Sequence, residues 1–189
     1  METLAADLTS SEQLDRLASA PTDIFVSVAG LAHVERFTDS DPSVWGRMWE
    51  INLLAPMLLS RALVPAMVEN AWGRLVYISS DSARAGAGGE AVYAATKAGL
   101  FGFAKSLARE VAAAGVTVNV ICPGVIDTER SRAILADHGG MADALLRSIP
   151  ARRLGQPQDV AGAVAYLCSP AAAYVTGQVL SVDGGITMA

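Results

Sequence analysis

Short apolar runs rich in β-branched residues alternate along this chain with longer stretches that keep helical spacing. The runs lie at residues 24–28, 75–79, 116–121 and 179–182, with a further short one at 4–8. Strands separated by helices cannot pair through tight turns; they build βαβ units and a parallel sheet. The runs carry few alternating polar positions, as expected when helices cover both faces of the sheet. The expected fold class is therefore α/β, a doubly wound parallel sheet in a single domain spanning 1–189. In such sheets ligands bind beyond the carboxyl ends of the strands. The residues of interest are those just after each run: Ala29 and Gly30, Ser79 and Ser80, Pro123 and Gly124.

The punctuation between the runs agrees. Thr9/Glu12 or Ser10/Gln13 offers a capping box for a helix to about Ala18, which Pro21 stops. Asp41-Pro42 opens the next helix, expected to run to about Asn70 with Pro56 and Pro65 as kinks. Helices are expected over 90–114, ended by Gly115, and over 157–167, with a mixed helical segment at 127–149. Hydrophobic residues make up 52% of the chain, which excludes intrinsic disorder. A net charge of −5 is the wrong sign for phosphate-led binding of nucleic acid. Cys122 and Cys168 read as free thiols, and no Cys/His cluster suggests a metal site. Every apolar run is interrupted before 18 residues and no signal peptide opens the chain, so no membrane partner and a cytoplasmic location are expected.

One constellation carries chemistry. Tyr93 and Lys97 stand four apart on a helix and so share a face. A phenol is too weak a base at neutral pH, with a pKa of about 10, but a neighbouring ammonium favours phenolate. The pair suits general acid/base work on an alcohol or carbonyl. Ser80 sits 13 residues before Tyr93, at the ligand edge of the sheet. Asn52 lies mid-helix among apolar residues, which is costly unless its amide is used. Trp45 and Trp49 read as packing residues, and neither His33 nor His138 is needed.

In Asn52-Leu53, Ile78-Ser79-Ser80, Tyr93-x-x-x-Lys97, Pro123 to Thr128, Gly155-x-Pro157 and Val182-Asp183-Gly184-Gly185, the chain resembles the short-chain dehydrogenase/reductase family. The motifs come in that family's order and span almost the whole chain. The resemblance implies a Rossmann-like fold, NAD or NADP as cofactor, a small ketone or alcohol as substrate, and a homo-oligomer, tetramer or dimer. It implies that Tyr93 exchanges a proton with the substrate oxygen and that Lys97 lowers the Tyr93 pKa and binds the nicotinamide ribose. Ser80 would donate to the carbonyl or alkoxide oxygen, and Asn52 would hold a water linking Lys97 to solvent. Pro123, Gly124 and Val125 would border the nicotinamide, with Thr128 contacting its carboxamide or the nearby phosphate. Asp7 and Leu8 would lie at the adenine, and Ala29 and Gly30 beside the cofactor.

Two departures stand out. Ser27-Val28 replaces the Asn-Asn of the family's Asn-Asn-Ala-Gly turn. The family's leading strand and glycine-rich turn have no match in residues 1–8, and residues 4–8 correspond to its third strand. The domain is thus expected to be N-terminally truncated, lacking its first two βα units. Three expectations stay open: a start placed too late, a short variant whose residues 4–8 slide against 24–28, or an impaired interaction module that does not bind cofactor tightly. Around Ser80 and Gly89 the chain looks like the 2-hydroxycyclohexanecarboxyl-CoA dehydrogenases and 3-oxoacyl reductases, which implies a β-keto acyl thioester or a cyclic alcohol. Residues 127–149 are expected to form a lid, with Met141, Leu145 and Leu146 as an apolar wall. Arg130, Arg132 and Arg147 would either meet an anionic tail or form a solvated helix face.

Overall fold

The computed structural model describes residues 3–129, 131–132 and 141–188. Its centre is a parallel sheet of four strands in the order β1 (Ile24–Ser27), β2 (Gly73–Ile78), β3 (Val116–Pro123) and β4 (Val179–Val182). Seven α-helices accompany them among the described residues: α1 (Ser11–Ala18), α2 (Trp45–Trp49), α3 (Ala55–Glu69), α4 (Ser82–Ala85), α5 (Ala91–Val111), α6 (Met141–Ser148) and α7 (Pro157–Cys168).

The sheet is covered on both faces. Leu75, Tyr77, Val118, Val120 and Cys122 point one way, into a core with Leu63 and Met67 of α3 and Leu100, Ala104 and Ala108 of α5. Val76 and Ile121 point the other way, onto Leu167 and Val164 of α7. This two-residue alternation, apolar in both directions, explains why β2 and β3 read as unbroken apolar runs. Tyr77 is fully buried, and its hydroxyl meets Ser60 Oγ at 2.6 Å. Ser60 donates its own proton to the Pro56 carbonyl, so Tyr77 is the donor of that pair. Tyr77→Phe is expected to cost about 1 kcal/mol by stranding a Ser60 lone pair, read from chemical denaturation.

Local signals settle the helix ends. Ser10 caps α1 by accepting from the Gln13 N–H, while the Gln13 side chain accepts from the Asp7 N–H at 2.7 Å. Gln156 and Asp159 form a reciprocal capping box that opens α7, with Pro157 in its first turn. Gly115 closes the α5 region in the left-handed conformation, and a Cβ there would lie 2.6 Å from the Ala71 carbonyl oxygen. Between α2 and α3 the chain makes a π-helical turn, Glu50–Leu54, in which the Ala55 N–H reaches the Glu50 carbonyl. Pro56 follows at once and has no N–H to give the Asn52 carbonyl, so the wide turn, rather than a break, absorbs the mismatch. The whole stretch Pro42–Glu69 is long and apolar enough by composition to cross a membrane, although the sequence reads as interrupted. Its Met48, Ala55, Leu63 and Met67 are buried in the protein's own core.

Two expectations are corrected. Residues 4–8 form no strand and do not slide against β1. A strand needs a partner for its backbone groups, and this segment is held instead by a hydrogen bond from Arg16 to the Ala5 carbonyl and by Leu8 packing on Leu14, Ala55 and Leu59. The outer edge of β1 therefore stays open, with Ile24 and Val28 exposed. Trp45 packs as expected, stacked on Phe37, but Trp49 is 45% exposed.

Candidate functional site

The carboxyl ends of β1, β2 and β3 converge, and the loops leaving them carry most of the expected site. Two clefts meet there. One, of about 290 Å³, is lined by Val28, Gly30, Ile78, Ser79 and Lys97. The other, of about 380 Å³, is lined by Val34, Asp81, Ser82, Glu90, Ile186 and Thr187 among others. Ala32, Ser80, Tyr93, Pro123 and Gly124 line both. Ser80 and Tyr93 thus stand on the wall between two spaces that could each hold one reactant.

Helix α5 is stitched to the end of β2. The Ser79 hydroxyl donates to the Lys97 carbonyl at 3.0 Å, and Lys97 Nζ donates to the Ile78 carbonyl at 2.8 Å. Lys97 is 3% exposed, and this burial lowers its pKa to about 8, against an opposing contribution from Cys122. Burial likewise pushes the Cys122 thiol up to about 11. Both cysteines are free thiols.

Asn52, at the π turn, is fully buried and its amide is in use. Its Oδ1 accepts from the Leu31 N–H at 2.7 Å, and its Nδ2 donates to the Leu31 carbonyl and to Thr96 Oγ1. Thr96 passes its own proton to the Tyr93 carbonyl at 2.7 Å. Asn52 thereby ties the loop after β1 to the first turns of α5. Gly30 lies between them: a Cβ there would sit 3.0 Å from Lys97 Nζ and 3.4 Å from Asn52 Oδ1. Gly30→Ala is expected to displace the Lys97 ammonium and cut turnover at least tenfold with little loss of stability, read from initial rates beside a melting curve.

Ser80 Oγ accepts from the Ser82 N–H at 3.2 Å and meets Ser82 Oγ at 2.8 Å. With both Ser82 groups donating, the Ser80 proton is free to turn toward a bound oxygen. Arg84 straps this loop to β4, donating to the Val179 carbonyl and Ser181 Oγ. The loop after β3 is fastened by the Gly155 N–H to the Val125 carbonyl and by the Asp127 N–H to the Gly155 carbonyl.

The remaining expected residues are more peripheral. Thr128 is exposed and caps its own turn, accepting from the Ser131 N–H. Asp7 is exposed, and its carboxylate accepts from the Thr9 N–H and hydroxyl, which lower its pKa. Leu8 faces α1 and α3, and Ala29 is an exposed loop residue before Gly30. Of the lid, Arg132 is paired with Asp127 at 2.6 Å and Arg147 is exposed, while Leu145 and Leu146 are half-buried. Arg130 and the Met141 side chain lie outside the described residues. Sequence reasoning passed over Thr96, Ser82, Asp81 and Glu90. A signal existed: each lies within three residues of Ser80, Tyr93 or Lys97.

A family model described as enoyl-(acyl carrier protein) reductase matches residues 1–187. The chain is 45% identical over 166 residues to 3-oxoacyl-(acyl-carrier-protein) reductase FabG of Escherichia coli, covering 88% of this chain and 67% of that one. The chain belongs to the short-chain dehydrogenase/reductase family. Another member of the family, the FabG of Vibrio cholerae, is 39% identical, with 98% of this chain and 77% of the relative covered. Among solved structures, a candidate NAD(P)-dependent gluconate 5-dehydrogenase from Beutenbergia cavernae with bound NADP superposes with a TM-score of 0.92 at 35% identity, covering 98% of this chain and 76% of its own. A short-chain dehydrogenase/reductase family protein gives 0.87, also at 35% identity, covering 95% and 74%.

Proposed function

We propose that this chain is an NAD(P)-dependent oxidoreductase that interconverts a secondary alcohol and a ketone, with a β-keto acyl thioester or a cyclic ketone as substrate. The observation that carries the reading is the common wall: Ser80 and Tyr93 border both clefts, with Lys97 in the smaller one. The smaller cleft fits the nicotinamide end of the cofactor, because at Gly30 the space a Cβ would fill is left open beside Lys97 Nζ. Gly30, Ala29, Pro123, Gly124 and Val125 would border that end, with Lys97 at its ribose and Thr128 at its edge; Asp7 and Leu8 would serve the adenine end. When bound, the nicotinamide supplies or accepts the hydride.

In the direction of reduction, the Ser80 hydroxyl holds the carbonyl oxygen and stabilises the charge that develops on it. Tyr93 gives its phenolic proton to that oxygen as the alcohol forms. The Lys97 ammonium, held against the Ile78 carbonyl, favours the phenolate left behind, and Asn52 would hold a water linking Lys97 to solvent. The two leading βα units implied by the family resemblance would pair with the open edge of β1. The chain would work in the cytoplasm as a homo-oligomer, through the exposed Leu54, Met57, Leu58 and Val68 of the α3 region and its neighbour α5.

Oxidation of NADPH or NADH by acetoacetyl-CoA or a cyclic ketone, one nucleotide per carbonyl, is the expected result. A broad panel of ketones and alcohols giving no turnover with either nucleotide overturns the reading.

A further inference from the structure

The larger cleft carries a charge pattern that bears on what it accepts. This inference rests on the oxidoreductase reading and narrows its substrate. Asp81 follows Ser80 directly and Glu90 precedes Tyr93 by three residues; both line the cleft beside the two candidate reacting groups. Apart from the Ser82 and Thr187 hydroxyls, the rest of that wall is small or apolar, with Ala32, Ala85, Ala87, Val125 and Ile186 among it. Among the described residues no Lys or Arg lines it; Lys97 lines the adjoining cleft. The nearest cation in sequence, Arg84, is spent on the β4 backbone and Ser181. Asp81 Oδ1 is buried and has no donor among the described residues.

We propose that the cleft beside Tyr93 selects ketones whose groups flanking the carbonyl are uncharged, such as a 3-oxoacyl ester or thioester, and rejects a free carboxylate beside that carbonyl. Two carboxylates in a partly desolvated cleft repel an anion and accept hydrogen bonds from neutral donors. Asp81 makes the selection depend on acidity. Burial first, and then the Asp183 carboxylate beside it, raise its pKa to about 6. Opposing that rise are the Thr187 hydroxyl and then the Arg84 guanidinium; the Cys122 thiol, also nearby, is kept neutral by burial. Asp81 passes from ionised to neutral as pH falls through about 6. Discrimination against anions should therefore weaken as pH falls through about 6.

The test compares ethyl 3-oxobutanoate with the 3-oxobutanoate anion, which share the reacting carbonyl. Initial rates with NADPH and NADH give the ratio of kcat/KM between the two, and calorimetric titration gives the ratio of their affinities. The ester is expected to be preferred at least tenfold at pH 7.5. The preference should shrink severalfold at pH 5.5, and in Glu90→Gln and Asp81→Asn. Equal affinity and equal kcat/KM for ester and anion overturn the proposal, as does a preference that neither variant alters. A chain that turns over neither ligand fails the oxidoreductase reading, while the calorimetric ratio still decides the selectivity.

Discussion

Replacing Tyr93 by phenylalanine is expected to lower turnover by about 10²–10⁴-fold while the fold survives. Tyr93 sits on the wall that both clefts share, and its backbone carbonyl keeps its bond from Thr96 whatever the ring carries. The side chain is half-buried, so loss of one oxygen creates no cavity. Initial rates, cofactor titration and a melting curve are the measurements. A variant that keeps more than a tenth of the wild-type kcat would remove Tyr93 from the chemistry. A variant that loses cofactor affinity and unfolds early would show that the residue is structural.

The second large effect separates activity from stability at one residue. Lys97→Met is expected to abolish turnover and yet stabilise the protein at neutral pH. Burial holds the Lys97 pKa near 8, below its usual 10.5. Between those two values the unfolded chain binds more protons than the folded one, so stability rises with pH across that window. Below about pH 8 the full cost of the buried ammonium is present. A shift of that size corresponds to about 3 kcal/mol, against about 1 kcal/mol for the lost bond to the Ile78 carbonyl. The variant should gain about 2 kcal/mol at pH 7, and the gain should fade toward pH 10. Denaturation series at pH 7 and pH 10 read both. A destabilised variant at pH 7, or one with a pH-independent gain, contradicts the argument.

The legible parts of this protein are those whose causes are local. A β-branched run marks β4 at its observed bounds, and Pro157 marks the start of α7. That Tyr93 and Lys97 of α5 line one cleft follows from their four-residue spacing. Residues 4–8 were misread because an apolar run becomes a strand only where a neighbour offers backbone groups, and that is not written in the run. The π turn was out of reach for the same reason. Pro56 signals trouble for the helix, but its resolution depends on Asn52 bonding Leu31, 21 residues away. Asp81 and Glu90 were passed over because each looks like an ordinary surface acid until the sheet folds them onto one cleft.

The strap from Arg84 to Val179 and Ser181 bears on how the protein is made. The side chains expected to act, from Asn52 to Lys97, all leave the ribosome well before β4. Yet the loop that carries Ser80, bonded earlier through Ser79 to Ile121 and Asp81 to Pro123, gains its strap to β4 only when Ser181 arrives, 97 residues after Arg84. The Gly124 N–H waits for the Val182 carbonyl, and the Ala151 N–H for that of Gly184. Until then the nascent chain carries the candidate groups without the bonds that fasten their loops to β4.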